Sequence, residues 1–290
     1  MIKLLALDLD GTTLDSRGHL SDANRAAIRA AEHRGVLVTI ATGRRFRDAQ
    51  PVGLDLELNA PLVTHNGALL KYADTGKTIH CSLLSTDTSL QIVRVGKDYG
   101  GDALVSTDPH GQGTLYYDRV SDHNVPLKKY LRWSEGLHGG ESGRLGVEHV
   151  PRLEDILPAH EVVHISFSGS CDSMSAMLSV LGRELGNSVT ILPTIYPHLD
   201  FTLIDILPAD ASKGHGVAKL AEINDLTYEN VMAVGDNFND LEMLEYAGTA
   251  VVMGNADARL RERAEFNTTL SNDESGVAAA IERFILNQGE

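Results

Sequence analysis

The chain has 290 residues, of which 42% are hydrophobic and 22% charged, which is typical of a globular protein with one large or two moderate domains. Its formal net charge of −15 argues against a nucleic acid as the main partner, because phosphate backbones require basic surfaces. No apolar run approaches the roughly 18 residues of a membrane span, no targeting segment precedes the first apolar run, and there are only two cysteines, so we expect a cytoplasmic protein without membrane contact or a disulfide framework.

The first third of the chain alternates between apolar runs of strand length and helix-forming segments. The run at 2–8 predicts a buried strand, Ser21 is placed to cap a helix, and 36–41 predicts a second buried strand. This order predicts a parallel sheet with right-handed crossovers. A third short strand at 62–64 is followed by Asn-Gly, a hairpin signal that predicts a β-excursion over 68–81.

The middle of the chain has a different pattern, in which short strands and helices follow one another without strict alternation. The predicted elements are helices at 87–99, 124–134 and 173–185, strands at 103–107, 114–117 and 161–167, and a glycine-rich stretch at 136–146. This order predicts an inserted, mainly antiparallel α+β domain over 83–190.

The last third returns to alternation. A strand at 200–206 precedes Ser212, which is placed to cap a helix at 213–224, and a buried strand follows at 231–234. Further helices and short strands complete the chain to about residue 287. The predicted fold is therefore an α/β core formed by 1–82 and 191–290 and interrupted by the inserted domain.

Two carboxylates follow the first predicted strand, at Asp8 and Asp10. Residues i and i+2 of an extended chain point the same way, so both side chains are expected to face one point beyond the carboxyl edge of the sheet. Ligands of open α/β sheets bind at that edge. Asp-Gly is also a common turn dipeptide, so this segment alone would fit a surface loop as well.

A second group of oxygen ligands follows the predicted strand at 231–234. Asp8 and Asp236, with a backbone carbonyl such as that of Asp10 and with Asp240 nearby, would suit an octahedral Mg²⁺ ion. Without a cation, clustered carboxylates repel one another and their pKa values rise. The alternative interpretation of the segment around Asp236 is an Asx turn that caps a helix.

Four further residues suit a phosphate group. Thr42 and Gly43 follow the second strand and offer a hydroxyl and backbone N–H groups before a helix. Lys213 comes directly after the predicted cap Ser212, where the helix dipole disfavours a cation, so a lysine there is expected to serve an anion. Asn239 is predicted to act both as a helix cap and as a site residue.

These residues together suggest phosphoryl transfer through a covalent intermediate. Asp8 is the predicted nucleophile, which attacks phosphorus and forms an aspartyl phosphate. Asp10 is the predicted acid and base, which protonates the leaving oxygen and then deprotonates the hydrolytic water. Mg²⁺ and Lys213 would neutralise the charges that otherwise keep a carboxylate and a phosphate apart.

The motif Asp8-Leu-Asp-Gly-Thr-Thr13 resembles the signature of haloacid dehalogenase-like hydrolases, and Thr42, Lys213 and the segment 235–240 match their later motifs in order and spacing. Together with the long insert, these motifs resemble the Cof-type subfamily. The resemblance implies a Rossmann-like core, an inserted cap that selects the substrate, and a Mg²⁺-dependent phosphatase acting on sugar phosphates or similar metabolites.

The resemblance also implies roles for individual residues. Asp8, Asp10, Asp236 and Asp240 would form the metal site, while Thr42, Gly43, Lys213 and Asn239 would hold the phosphate and Arg44 and Asn66 would lie near the substrate. Thr13 stands where leucine is usual and is expected to change packing only. His65, where a small serine is common, is expected either to touch the substrate or to pack in the core.

Two alternatives share this pattern. A phosphotransferase or phosphomutase would use the same aspartyl phosphate and pass it to a hydroxyl group instead of water. A non-catalytic binding protein of this fold would be expected to have lost motif residues, and none is missing. The expected partners are a small phosphorylated metabolite and, at most, a second copy of the chain in a weak homodimer.

Overall fold

The structure, a computed structural model, describes residues 1–138 and 146–287, so most of the glycine-rich stretch predicted at 136–146 lies outside the described residues. The first elements in chain order are β1 (Leu4–Leu7), α1 (Asp22–His33), β2 (Leu37–Ile40), α2 (Phe46–Leu56), β3 (Leu62–Thr64), β4 (Leu69–Lys71) and β5 (Thr78–Cys81). The next are α3 (Thr86–Asp98), β6 (Asp102–Thr107), β7 (Thr114–Tyr117), α4 (Val125–His138), β8 (Val147–His149), α5 (Leu153–Ile156), β9 (Val162–Gly169), α6 (Cys171–Leu185), β10 (Val189–Tyr196) and β11 (Phe201–Pro208). The last are α7 (Lys213–Ile223), β12 (Val231–Gly235), α8 (Leu241–Tyr246), β13 (Thr249–Val252), α9 (Ala258–Arg261), β14 (Asn267–Thr268) and α10 (Gly276–Ile281).

The chain divides into two compact units. The first unit, called the core unit below, contains Met1–Ile79 and Ser212–Glu290, and the second, called the cap unit, contains His80–Ala211. The insert predicted from the sequence was 83–190, so the two assignments differ mainly at the second boundary, where β10 and β11 fall within the cap unit.

The core unit is built on a five-stranded parallel sheet with the order β14-β13-β12-β1-β2. All four residues of β1 are buried, which explains why the strand reads as an unbroken apolar run. Leu4 and Ala6 of β1 belong to the same apolar cluster as Val217 of α7 and Met243 of α8, so these two helices cover one face of the sheet. This packing brings the start of α7 and the start of α8 to the site described below.

The helix caps predicted at Ser21 and Ser212 are confirmed. The Ser21 hydroxyl accepts the N–H of Asn24 at the start of α1, and the Ser212 hydroxyl accepts the N–H of His215 at the start of α7. Helix α1 ends before Gly35, whose φ of +79° is the left-handed conformation that glycine adopts without strain.

The predicted third strand, β3, lies outside the main parallel sheet. It pairs antiparallel with β4 in a small sheet β3-β4-β5, and a bridge between Ala41 and Val63 connects it to the end of β2 in the parallel sheet. A 3₁₀ turn at His65–Gly67 joins β3 to β4, as the Asn-Gly signal predicted. Gly67 has a φ of +95°, and a Cβ there would lie 1.9 Å from the carbonyl oxygen of Ser212.

Replacing Gly67 with alanine is therefore expected to destabilise the core unit by more than about 2 kcal/mol, because left-handed strain and a backbone clash add together. Gly35→Ala is the matched control: its φ is also left-handed, but no atom lies within 4 Å of the added Cβ, so about 1 kcal/mol is expected. Urea unfolding of both variants measures the difference. Equal losses would contradict the close approach at Gly67.

The cap unit contains a six-stranded mixed sheet with the order β10-β11-β9-β6-β7-β8. Four of its strand pairs are antiparallel, and β7 and β8 are parallel. Helices α3 and α6 pack against it through an apolar cluster that includes Ile92, Phe167 and Met174. A second cluster joins α4 to β6 and β7 through residues such as Leu131 and Leu104.

Strand β11 was predicted from the sequence to be the first strand of the second core segment, 191–290, and this placement is wrong. It lies between β10 and β9, antiparallel to both. Its burial alternates along Phe201–Ile206, which is typical of an antiparallel strand, whereas the core strands β1 and β12 are buried throughout. Among the described residues, no helix combines the length and the hydropathy needed to cross a membrane.

Candidate active site

The carboxyl ends of β1 and β12 bring Asp8 and Asp236 together. The strands are parallel neighbours, and the N–H of Asp8 donates to the carbonyl of Val234 at 2.9 Å. Carboxylate oxygens of Asp8, Asp236 and Asp240 lie within 4.8 Å of one another. These are three of the four carboxylates that the sequence assigned to a metal site.

Lys213, the first residue of α7, is buried among these carboxylates. Its Nζ lies 2.6 Å from Oδ1 of Asp8 and 2.6 Å from Oδ1 of Asp240. Burial alone would lower the pKa of Lys213, but the carboxylates of Asp240 and Asp8 outweigh burial and raise it above its usual value. The ammonium group therefore stays charged although it lies at a helix N-terminus, where the helix dipole disfavours a cation.

Asp240 has both carboxylate oxygens engaged. Oδ1 accepts from Lys213, and Oδ2 accepts the backbone N–H groups of Asp236 and Asn237, each at 3.0 Å. Asp240 therefore fixes the loop that carries Asp236 as well as the ammonium of Lys213. This geometry suits a positioning residue better than a direct metal ligand.

The carboxylates are electrostatically crowded. Burial raises the pKa of Asp8 well above its usual value and Asp240 raises it further, while Lys213 opposes them. Burial and Asp240 also raise the pKa of Asp236 to about 6. Three carboxylates against one ammonium leave two negative charges without a partner among these four groups.

A divalent cation with oxygen ligands fits this arrangement. Asp8 and Asp236 supply carboxylate oxygens within bonding reach of one ion, and the charge of a divalent cation matches the two uncompensated negative charges. Nitrogen and sulfur ligands are absent from this group, which favours Mg²⁺ over zinc.

The loop after β1 supports Asp236 through two residues that the sequence motif contained but to which no role was assigned. The Thr12 hydroxyl donates to Oδ1 of Asp236 at 3.2 Å. Gly11 has a φ of +82°, and a Cβ there would lie 2.5 Å from Oδ2 of Asp236. The side chain of Asn255 holds this loop by donating to the carbonyl of Gly11 at 2.9 Å.

Thr13 has a role beyond packing, so the expectation that its hydroxyl changes packing only is wrong. The side chain is fully buried, and its hydroxyl donates to the carbonyl of Asp8 at 2.6 Å. This hydrogen bond fixes the backbone that carries the Asp8 carboxylate. A leucine at this position could not form it.

Asp10 points differently from the expected direction. Its carboxylate is exposed and receives two hydrogen bonds from Arg44, from Nε at 2.8 Å and from Nη2 at 2.6 Å. Because β1 ends at Leu7 and the chain turns at Leu9, Asp8 and Asp10 do not lie on one extended strand, and the i, i+2 rule no longer holds. Asp10 is therefore not part of the carboxylate group around Lys213.

Thr42 and Gly43 lie in the loop between β2 and α2, next to the end of β1. Thr42 is buried, and its hydroxyl accepts the N–H of Arg44 at 3.1 Å. Gly43 packs against Asn66, since a Cβ on Gly43 would lie 3.0 Å from Oδ1 of Asn66. His65 and Asn66 are both buried, and His65 Nδ1 lies 3.3 Å from the hydroxyl of Thr64.

Asn239 lies on the 3₁₀ turn before α8 and is exposed. The side chain that caps this turn is that of Asn237, so the cap role predicted for Asn239 is wrong. The ammonium of Lys213 donates to Asp8 and Asp240, and among the described residues it forms no hydrogen bond to Asn239. Its predicted contact with a phosphate remains a prediction.

Comparisons with known proteins identify the family of the chain. The sequence profile of the haloacid dehalogenase-like hydrolases matches residues 5–281. The chain is 30% identical to the 5-amino-6-(5-phospho-D-ribitylamino)uracil phosphatase YwtE of Bacillus subtilis (strain 168), with 99% of each chain covered. It is 28% identical to the HMP-PP phosphatase of Cronobacter sakazakii, over 90% of this chain and 87% of the relative.

The fold of the chain is also similar to that of solved structures. A crystal structure of a haloacid dehalogenase-like hydrolase from Bacteroides thetaiotaomicron superposes with a TM-score of 0.80 at 24% identity, covering 98% of this chain and all of the other. Since the profile spans nearly the whole sequence, the chain belongs to the Cof-type haloacid dehalogenase-like hydrolases, and it is a phosphatase.

Proposed function

We propose that the protein is a Mg²⁺-dependent phosphatase that hydrolyses small phosphomonoesters through an aspartyl phosphate on Asp8. The observation that supports this proposal most strongly is the buried group of Asp8, Asp236, Asp240 and Lys213 at the carboxyl edge of the parallel sheet. Burying such a group of charges lowers the stability of the fold unless a bound ligand compensates them. Phosphate release from an aryl phosphate, measured with and without Mg²⁺, tests the proposal.

The reaction assigns a separate role to each residue. An oxygen of Asp8 forms a bond to phosphorus while the ester bond breaks, and the leaving oxygen takes a proton from Asp10. Asp10 then removes a proton from the water that attacks the aspartyl phosphate, which releases inorganic phosphate and restores Asp8. Lys213, Thr42 and the N–H groups beside Gly43 would hold the phosphoryl oxygens.

A bound Mg²⁺ ion, held by Asp8 and Asp236 with the carbonyl of Asp10, would supply positive charge beside the phosphoryl group. Asp10 has to leave Arg44 before it can serve the ester oxygen, because both of its carboxylate oxygens accept hydrogen bonds from the guanidinium group. Released Arg44 would then be available to the substrate.

The substrates that we propose are small phosphorylated metabolites, including sugar phosphates. Two relatives support this class, because one is a phosphatase of a phosphoribitylamino compound and the other is a phosphatase of HMP-PP. The net charge of −15 is compatible with such ligands, since local cations at the site outweigh a distant surface field.

Magnesium is expected to stabilise the wild-type protein against heat. At a Mg²⁺ concentration one hundred times the dissociation constant, the gain is about 2.7 kcal/mol. Asp236→Asn should lose most of this gain and most of the activity. Glu229→Gln, a neutralised exposed carboxylate of the same unit, should keep both. Differential scanning calorimetry of the three proteins with and without Mg²⁺ measures this stabilisation. An equal rise in melting temperature in all three would contradict the metal assignment.

Substrate choice is proposed to lie in the cap unit. Replacing residues 80–211 with a short glycine-serine linker is expected to leave Mg²⁺ binding and slow aryl phosphate hydrolysis, while preferences among metabolites disappear. A panel of phosphorylated metabolites measures the profile before and after the replacement. An unchanged order of preference would refute this role.

A further inference from the structure

Three asparagine side chains hold the loop that follows β1 by its backbone carbonyls. In each case Nδ2 of the asparagine donates to a carbonyl oxygen of the loop. The pairs are Asn255 with Gly11 at 2.9 Å, Asn24 with Thr13 at 3.1 Å and Asn272 with Leu14 at 3.0 Å. We name these three side chains the asparagine clamp. They come from the loop after β13, from α1 and from the 3₁₀ turn before α10, so segments far apart in the sequence meet at this loop.

Two of the clamp amides are fixed in orientation by a second hydrogen bond. Oδ1 of Asn255 accepts the backbone N–H of Asn272 at 3.0 Å, and Oδ1 of Asn24 accepts the backbone N–H of Ala278 at 2.9 Å. A backbone N–H can only donate and a backbone carbonyl can only accept. Turning either amide over would therefore break both of its hydrogen bonds, so each amide presents its N–H₂ group to the loop.

The loop needs donors of this kind because its own N–H groups are used within the turn. The N–H groups of Thr13 and Leu14 donate to the carbonyl of Leu9 at 3.1 and 3.0 Å. A lysine or an arginine could also supply donors to the loop carbonyls, but its charge would compete with a cation for the carboxylates of Asp8 and Asp236. Asparagine is a neutral donor, so the clamp holds the loop without changing the charge of the site.

Asn255 binds the part of the loop that is nearest to the chemistry. Its partner Gly11 directly follows Asp10, the proposed acid and base, and a Cβ on Gly11 would lie 2.5 Å from Oδ2 of Asp236. Asn24 and Asn272 are buried, whereas Asn255 is exposed. A change at Asn255 therefore loosens the loop beside Asp10 while the two buried members of the clamp still hold its other end.

We propose that Asn255 is a positioning residue for proton transfer, which acts through the carbonyl of Gly11 and keeps the carboxyl group of Asp10 at the leaving oxygen of the ester. The inference rests on the proposed phosphatase function, in which Asp10 protonates that oxygen. Help from a general acid matters more when the leaving oxygen is more basic. A misplaced Asp10 should therefore slow the reaction of esters with basic leaving groups and spare the others.

The test compares phenyl phosphate with p-nitrophenyl phosphate, whose leaving group is the weaker base. The measured quantity is kcat/KM, which covers departure of the leaving group and excludes the later hydrolysis of the aspartyl phosphate. Asn255→Ala should lower kcat/KM for phenyl phosphate by about tenfold or more, and for p-nitrophenyl phosphate by less than about twofold. The Mg²⁺ concentration for half-maximal activity should stay the same, because the effect passes through Asp10 and not through Asp236.

Two further variants complete the test. Asn255→Asp keeps the acceptor for the N–H of Asn272 but cannot donate to Gly11 once ionised, so it should show the same selective loss even if Asn255→Ala folds poorly. Asn224→Ala is the matched control, because Asn224 is also exposed and donates to a backbone carbonyl, that of Leu220 at 2.8 Å, at the end of α7 remote from Lys213. It should lower the melting temperature about as much as Asn255→Ala and leave both kcat/KM values unchanged.

Four results would overturn the proposal: equal losses on the two esters, an unchanged kcat/KM for phenyl phosphate in Asn255→Ala or Asn255→Asp, recovery of the lost activity at higher Mg²⁺ concentration, or the same selective loss in Asn224→Ala. Failure of the wild type to release phosphate from either ester would refute the proposed function itself, which is a separate result.

Discussion

Asp8→Asn is expected to lower Mg²⁺-dependent release of phosphate from an aryl phosphate by about 10⁴-fold or more, because an amide cannot form the aspartyl phosphate. The substitution keeps the size of the side chain and an oxygen that can accept from Lys213. A loss of this size would therefore report the missing nucleophile and not a collapsed site. Steady-state assays at saturating Mg²⁺ measure it.

The same variant is expected to be more stable than the wild type in buffer without Mg²⁺ at pH 7. The pKa of Asp8 is raised in the fold by burial and by Asp240, so above its usual pKa the ionised group favours the unfolded chain. A neutral amide removes this penalty, and the melting temperature should rise. Asp225→Asn, which neutralises an exposed carboxylate, should change neither activity nor stability appreciably.

Two results would contradict this assignment. Retained activity in Asp8→Asn would show that another group attacks phosphorus. A melting temperature that falls without Mg²⁺ would show that the ion pair with Lys213 outweighs the cost of burying the Asp8 carboxylate. A stabilised but inactive variant is the usual sign of a site that is kept for function at the expense of stability.

The strand ends of the core could be predicted from the sequence because their signals are local. Buried parallel strands give unbroken apolar runs, and the polar residues that end β1 and β12 therefore marked Asp8 and Asp236. The place of Lys213 was likewise predicted from Ser212, whose capping role is visible in the sequence. Neither inference needed knowledge of which strands are neighbours.

The remaining features depend on geometry that local patterns do not contain. The direction of Asp10 follows from the turn that begins after Leu7, and its pairing with Arg44 joins two loops that lie far apart in the sequence. The placement of β11 required a choice between two sheets. Its alternating burial is visible only in the structure, and in the sequence the strand directly precedes Ser212 and α7, which belong to the core unit.

The contact of Thr13 with Asp8 also could not be predicted from the sequence, although the two residues are only five positions apart. The hydroxyl reaches the carbonyl of Asp8 because the chain folds back on itself immediately after β1, where the N–H of Thr13 also turns towards Asp8 and Leu9. Thr13 was expected to change packing only because it stands where leucine is usual, and the sequence does not show the turn that brings its hydroxyl to Asp8. Its role in holding the nucleophile's backbone could therefore be seen only in the structure.

Lys213→Met is expected to destabilise the protein by about 3–5 kcal/mol without Mg²⁺, because it leaves the buried carboxylates of Asp8 and Asp240 without their ammonium partner. Methionine keeps the length of the side chain, so lost packing contributes little. Activity should fall by about 10²–10³-fold or more, as expected when a group that stabilises transition-state charge is removed.

The double variant Lys213→Met/Asp240→Asn separates the two effects. Neutralising Asp240 removes one of the carboxylates that the missing ammonium leaves unpaired, so stability should recover by about 1–3 kcal/mol relative to the single variant. Activity should not recover, because the amide does not replace the charge beside the phosphate.

Mg²⁺ should also raise the melting temperature of Lys213→Met more than that of the wild type, since the cation is then the only positive charge that neutralises the carboxylates of Asp8, Asp236 and Asp240. Additive losses in the double variant, measured by urea unfolding, would mean that Lys213 and Asp240 act independently, and the buried charge network around Asp8 would then not be the unit that holds the site together.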